Sequence, residues 1–178
     1  MDDKYETQIK LIKDFSSDIN PNSRTTAKKP KISFYEGLDG IEKTYEHTLS
    51  SKDTMKSWAS FGPMHETLPD YFKTYYDRRI KKGIHVQSIN PDSPEARERH
   101  SNDKKELRES VLIPNEVCEW IPQIKMYDNF VNIVSWQEKF AILIESQEIA
   151  NALKAIFDLS YEACKDKYDP DTNNDKES

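Results

Sequence analysis

Nowhere in this sequence does an apolar run extend beyond a handful of residues, so no segment supplies the roughly 20 apolar residues that a membrane-spanning helix requires. The N-terminus, MDDKYETQIK, is acidic and has no apolar core, which excludes a signal peptide of the usual kind. Cysteine is nearly missing. Cys118 and Cys164 stand far apart with no CxxC or Cys/His spacing, so disulfide frameworks and zinc sites are excluded and both read as ordinary thiols. With only four glycines there is neither GxGxxG nor GxxxxGKS/T, and the strand-to-helix turn at Gly37, Asp39 and Gly40 reads as a common helix start rather than a phosphate loop. The chain also lacks a basic excess. A net charge of −6 and an isoelectric point near 5.3 argue against this chain alone gripping a nucleic-acid backbone. A cytoplasmic location is expected.

What is present describes one helix-rich globular domain: 178 residues, 35% hydrophobic, 33% charged and 11% aromatic, enough for one real core and too little for two. The organising stretch runs from Leu68 to Pro94. Leu68, Phe72, Tyr75, Tyr76 and Ile80 recur at helical spacing, and Gly83 stops the run because glycine readily takes the positive φ that closes a helix. Ile84, Val86 and Ile89 then form a short buried strand, and Ser93-Pro94-Glu95 supplies an N-cap, an N1 proline and a first-turn acid for the next helix. Helix, strand, helix in so short a span is the grammar of an α/β layer.

In chain order, Tyr5, Ile9, Ile12 and Ile19 suggest an N-terminal helix over residues 1–20, a packing helix or the stub of a coiled coil. Residues 21–30 read as a linker, 31–165 as the domain and 166–178 as a disordered polar tail. Within the domain, a strand at Ile32 to Tyr35 precedes a helix bearing Ile41, Tyr45 and Leu49. Met55 to Gly62 reads as a strand ending in a Gly62-Pro63 loop. The helix opened by Ser93 is expected to continue through residues 95–109, nearly devoid of large apolar side chains, as a solvated outer helix or else the cover of a cleft. Ser110 to Ile113, Trp120 to Tyr127, Phe130 to Trp136 and Phe140 to Ile144 are strands, the last three a meander through Asp128-Asn129 and Gln137-Glu138-Lys139. Ser146 caps a final amphipathic helix. The sheet is therefore mixed.

No catalytic constellation emerges. His65-Glu66 is not an HExxH, because Pro69 stands where the second histidine belongs. His85 falls in an expected buried strand, and His47 and His100 on solvated helices. There is no GxSxG, and pairing two of the abundant carboxylates would have no basis.

The phrases PKISFYEGLDGI, YFKTYYDRRIKKGIHV, NPDSPEARERH, IKMYDNFVNIVSW and FAILIESQEIANALKAIFDLSYEAC resemble the effector domain of TrmB-like transcriptional regulators over residues 30 to 165. The resemblance implies a phospholipase D-like fold, α/β with a mixed sheet flanked by helices. It also implies a winged helix and coiled coil in front, with the DNA contacts in that winged helix; only some thirty residues precede the domain here, so DNA is expected as a partner only through a segment outside this chain. The C-terminal β-rich extension of sugar-sensing members is missing, so a sugar is not implied. Phospholipase D-type chemistry needs HxKxxxxD, and with Asp128 as its aspartate, Ile121 falls at the nucleophile and Gln123 at the lysine. The expectation is a non-catalytic regulatory domain that dimerises and binds a small effector, without cofactor or metal. A stand-alone dimerising module and a divergent hydrolase are the alternatives. Strand-end loops nominate Gly62, Met64 and His65, Asn90 and Asp92, and Ser135 and Trp136 as ligand contacts.

Overall fold

The computed structural model describes residues 29–117 and 122–169; the expected N-terminal helix and most of the linker and tail lie outside them. A seven-stranded sheet, β1 (Lys31–Glu36), β2 (Met55–Trp58), β3 (Val86–Pro91), β4 (Arg108–Ile113), β5 (Pro122–Tyr127), β6 (Phe130–Ser135) and β7 (Phe140–Glu145), runs in the order β1-β7-β6-β5-β2-β3-β4. The β2-β3 and β3-β4 pairs are parallel and the others antiparallel. Among the described residues five α-helices complete it: α1 (Gly37–Thr48), α2 (Phe61–Thr67), α3 (Pro69–Lys81), α4 (Pro94–Ser101) and α5 (Gln147–Tyr168).

Strand residues alternate between faces, and the alternation sorts the helices. Ala59, Val134, Trp136 and Ala141 pack with Ile41, Tyr45, Phe61, Phe72 and Ala96 of α1 to α4. The residues of opposite parity, Trp58, Ile89, Val111, Met126 and Val131, pack with Ala150, Phe157 and Tyr161 of α5. Aromatic rings dominate the first layer: Tyr45 meets Phe72 and Tyr75 edge-on at 4.9 and 5.2 Å, geometry that adds about 0.5–1.5 kcal/mol per pair beyond burial.

Ser93 caps α4 through Ala96 N at 3.1 Å, and Ser146 caps α5 through Ile149 N at 3.3 Å, as the sequence suggests. Three expectations need correction. The strand begun at Met55 stops at Trp58, and Gly62-Pro63 lies in the first turn of α2 rather than in a loop; a proline there sacrifices no helical hydrogen bond, and Phe61 and Met64, three apart, both turn inward. The Ser93 helix ends at Ser101 instead of continuing to 109. A 3₁₀ turn (Asp103–Glu106) and Leu107 in the left-handed region (φ 51°) redirect the chain into β4, fixed by the Asp103 carboxylate, which accepts from Arg108 Nε (2.5 Å) and from Ser110 N and Oγ (2.7 and 2.6 Å). His85 is exposed and precedes β3 rather than lying buried within it. In addition, α5 continues to Tyr168, past the boundary expected at 165, because Cys164 and Tyr168 stay on its packed stripe.

Candidate functional site

Register places an unusual row beneath α1 to α4. Asn132 pairs with Lys125, Lys125 with Ser57, Ser57 with Ser88, and Ser88 with Ser110, so five polar residues from five adjacent strands cross the middle of the sheet on one face. All are buried. A stability-driven core would place apolar side chains here, because a buried polar group costs free energy unless it finds a partner. Most do. Asn132 Nδ2 donates to Thr44 Oγ1 (3.2 Å), Ser88 Oγ to Asn90 Oδ1 (2.7 Å), and Asn90 Nδ2 to the Ala59 carbonyl (2.7 Å).

Two members do not. Ser57 Oγ is buried without a hydrogen-bond partner among the described residues. Lys125, only 7% exposed, has its ammonium 3.9 Å from the ring centroid of Tyr45 and 5.2 Å from that of Tyr75, with no ion pair to any described carboxylate. Burial, and secondarily the neighbouring Arg79 guanidinium, push its pKa well down. Ser57, Ser88, Asn90, Gln123 and Lys125 floor a cavity of about 40 Å³ roofed by Tyr75, Tyr76 and Met64. That is room for a few waters or one compact group.

Three guanidinium groups complete the walls: Arg79 from α3, Arg99 from α4 and Arg108 from β4. Arg79 is spent on the backbone, donating to the carbonyls of Ile84 (2.5 Å), Leu107 (3.4 Å) and Glu106. Arg108 pairs with Asp103 and donates to the Arg99 carbonyl. The Arg99 guanidinium lies 3.5 Å from the Tyr76 ring centroid and 2.5 Å from Glu106 Oε2, an ionic contact off the hydrogen-bonding direction that leaves its Nε and Nη2 without hydrogen-bond partners. Among the described residues three guanidinium groups and the Lys125 amino group thus meet two paired carboxylates, Asp103 and Glu106. The ring hydroxyls respond to burial: Tyr45 is raised well above its ordinary pKa and Tyr75 to about 12, so both are neutral donors near neutrality.

The residues nominated from sequence do not converge. Met64 and Asn90 line the cavity. His65 stands behind its wall, its Nε2 2.8 Å from the Tyr76 hydroxyl and its pKa lowered by burial and then by Arg99. Gly62 sits at the start of α2, where an added Cβ would meet nothing within 4 Å. Asp92 is held by Arg97 at 2.7 and 2.6 Å. Ser135 Oγ donates to Glu138 (3.1 Å), and Trp136 is buried among Phe72 and Tyr45. Of the other two histidines, His47 is half-buried, its Nδ1 2.9 Å from the Tyr127 hydroxyl, whereas His100 is exposed as expected, its Nδ1 2.9 Å from Ser110 Oγ. Nor is α4 a purely solvated helix, since Arg99 turns inward as a wall of the cavity. Sequence reasoning missed Ser57, Lys125 and the three arginines. The signal was a polar residue at the central inward position of MKSWAS, VQSIN and QIKMY, visible only once these strands are known to be neighbours.

No known family profile matches the chain, and no curated protein matches it. Solved structures do. TrmBL2, an archaeal chromatin protein whose structure describes a mode of DNA binding, superposes with a TM-score of 0.53 at 13% identity, over 89% of this chain and 60% of that one. A phosphatidylserine synthase from Haemophilus influenzae Rd KW20 superposes at 0.51 and 10% identity, over 89% of this chain and 45% of that one. Polyphosphate kinase from Porphyromonas gingivalis matches at 0.48 and 12% identity, over 73% of this chain and 26% of its own length. The chain spans less than two thirds of each. At such identities the likeness establishes the fold, an α/β architecture with a seven-stranded mixed sheet in the phospholipase D-like manner. Among the described residues no helix is long and apolar enough to cross a membrane.

Proposed function

We propose that this chain is a regulatory domain of the TrmB-like kind, which senses a small effector in the cavity floored by Lys125 and passes that state to a DNA-binding segment elsewhere in a full regulator, in the cytoplasm and without catalysis. The observation that carries this reading is the buried polar row. Ser57 lies under the helices without a hydrogen-bond partner and Lys125 without a counter-charge among the described residues, at a cost that stability alone does not explain, and they point to a ligand that supplies both. β5, in which Gln123 stands where the Asp128 alignment puts the HxKxxxxD lysine, presents Gln123 and Lys125 to the cavity, and no histidine lines it, which favours binding over phosphoryl chemistry.

A thermal-shift panel of sugars, sugar phosphates, nucleotides and amino acids tests it. One compound is expected to raise the melting point at micromolar concentration, because a ligand at 100 times its Kd adds about 2.7 kcal/mol to a native state it alone recognises. Silence across the panel retires the sensor.

A specific feature favours homodimerisation as well. On the edge strand β1, Ile32 and Phe34 are 67% and 58% exposed, and Phe34 stands 5.3 Å from Phe140 of β7, an apolar edge of the kind that seeks a second copy. Phe34→Glu is expected to convert a dimer into a monomer in light scattering without lowering the melting point of the monomer. A dimer that survives the change places the interface elsewhere.

A further inference from the structure

We propose that the cavity takes a compact oxyanion, a phosphate, sulfate or small carboxylate group, and that Lys125 picks up a proton as the anion enters, making recognition proton-coupled. The inference rests on the cavity being a ligand site and names its ligand class. Its basis is charge and geometry. The groups that face Lys125 are Tyr45 from α1, Tyr75, Tyr76 and Arg79 from α3, and across the cavity Arg99 from α4 and Arg108 from β4. Behind these stand His65, Asp103 and Glu106. Ser57, Ser88, Asn90 and Gln123 are uncharged. Among the described residues every charged side chain lining the cavity is therefore cationic, and the two carboxylates behind them are already paired.

Without an anion, burial and Arg79 favour the neutral amine of Lys125, because a buried ammonium without a counter-charge is expensive and Arg79 repels it. An anion reverses both terms. It supplies the missing charge, the amine takes a proton from solvent to become an ammonium, and Ser57 Oγ gains an acceptor. The Arg99 Nε hydrogen, without a hydrogen-bond partner among the described residues, supplies a further donor to the same group. At about 40 Å³ the cavity admits one such group, so a larger metabolite would insert only its anionic head.

The test is titration calorimetry on the full chain at pH 8 with inorganic phosphate, sulfate, pyruvate and glucose 6-phosphate, each in HEPES and in Tris, whose ionisation heats differ. The expected result is binding of at least one anion with uptake of up to about one proton per site, seen as a difference in heat between buffers. Lys125→Met should bind at least tenfold more weakly and abolish the uptake. Ser57→Ala, which leaves the charges in place, should weaken binding roughly fivefold while uptake persists. Tighter binding of glucose 6-phosphate than of phosphate identifies the group as the head of a larger ligand; the reverse identifies a free ion. Binding without proton uptake, or unchanged in Lys125→Met, overturns the proposal. A neutral compound that binds where all four anions fail overturns the ligand class and leaves sensing intact, whereas failure of every compound removes both.

Discussion

Lys125→Met is expected to stabilise the ligand-free protein, by on the order of 2 kcal/mol at pH 7.5, against the usual rule that core substitutions destabilise. Methionine has nearly the length and flexibility of lysine and no charge, so it fills the same space beside Tyr45 and Tyr75 without asking for a partner. The wild-type cost comes from linkage. Lysine in the unfolded chain holds its proton up to about its ordinary value of 10.5, whereas in the folded protein burial and Arg79 have lowered that value well below it. Across the interval between the two, the unfolded state binds more protons, so native stability rises as pH rises, by at most about 1.4 kcal/mol per pH unit. The advantage of the methionine variant should therefore be large near neutrality and shrink toward pH 9.5. Within this window burial also raises the Cys164 thiol, a contribution common to both proteins that cancels in their difference. His47 and His65, both shifted down by burial, finish titrating below it, and the tyrosines, all shifted up where buried, have not begun. Urea titrations of both proteins at half-unit steps from pH 7.5 to 9.5 check it. Parallel stability curves would mean that Lys125 keeps its proton in the fold, compensated by a charge that the described residues do not supply.

The same residue shows how far the sequence could be read. The fold class was legible because it depends on local signals: Gly83 ends α3 with φ +70°, Ser93 and Ser146 cap the helices they precede, and the Asp128-Asn129 turn joins β5 to β6 in the antiparallel register. The site was not, because it depends on register between segments far apart in the chain. Ser57 means little in MKSWAS and Lys125 little in QIKMY. They become neighbours only because β2 inserts between β5 and β3, an order that no local pattern encodes. Arg99 was hidden for a related reason. Its helix has the composition of a solvated surface, and the turn at Asp103 to Leu107 that brings one side chain inward is held by long side chains folding back on the backbone, which periodicity does not register.

Arg79→Met should be the most damaging of these single changes, costing about 4 kcal/mol. Arg79 is 2% exposed and donates to the carbonyls of Ile84, Glu106 and Leu107. Ile84 closes the path from α3 into β3, and Glu106 and Leu107 end the 3₁₀ turn before β4. One guanidinium thus clamps the entry to two parallel strands, at the point where Val86 N donates to the Leu107 carbonyl at 3.0 Å. Methionine would leave the three acceptors buried and unanswered, and would release Leu107 from the left-handed conformation that directs β4. Arg79→Lys, which keeps the charge but not the planar fork, should fall in between, since an ammonium on a flexible stem cannot span three divergent carbonyls. Denaturant midpoints at constant slope measure both. A cost below about 1 kcal/mol for the methionine variant would show that water replaces the clamp. The two residues are also coupled, because Arg79, after burial, is part of what lowers the Lys125 pKa. Removing Arg79 lets Lys125 hold its proton to higher pH, so Lys125→Met should alter the pH dependence less in the Arg79→Met background than in the wild type, a non-additivity expected of residues that share one cavity.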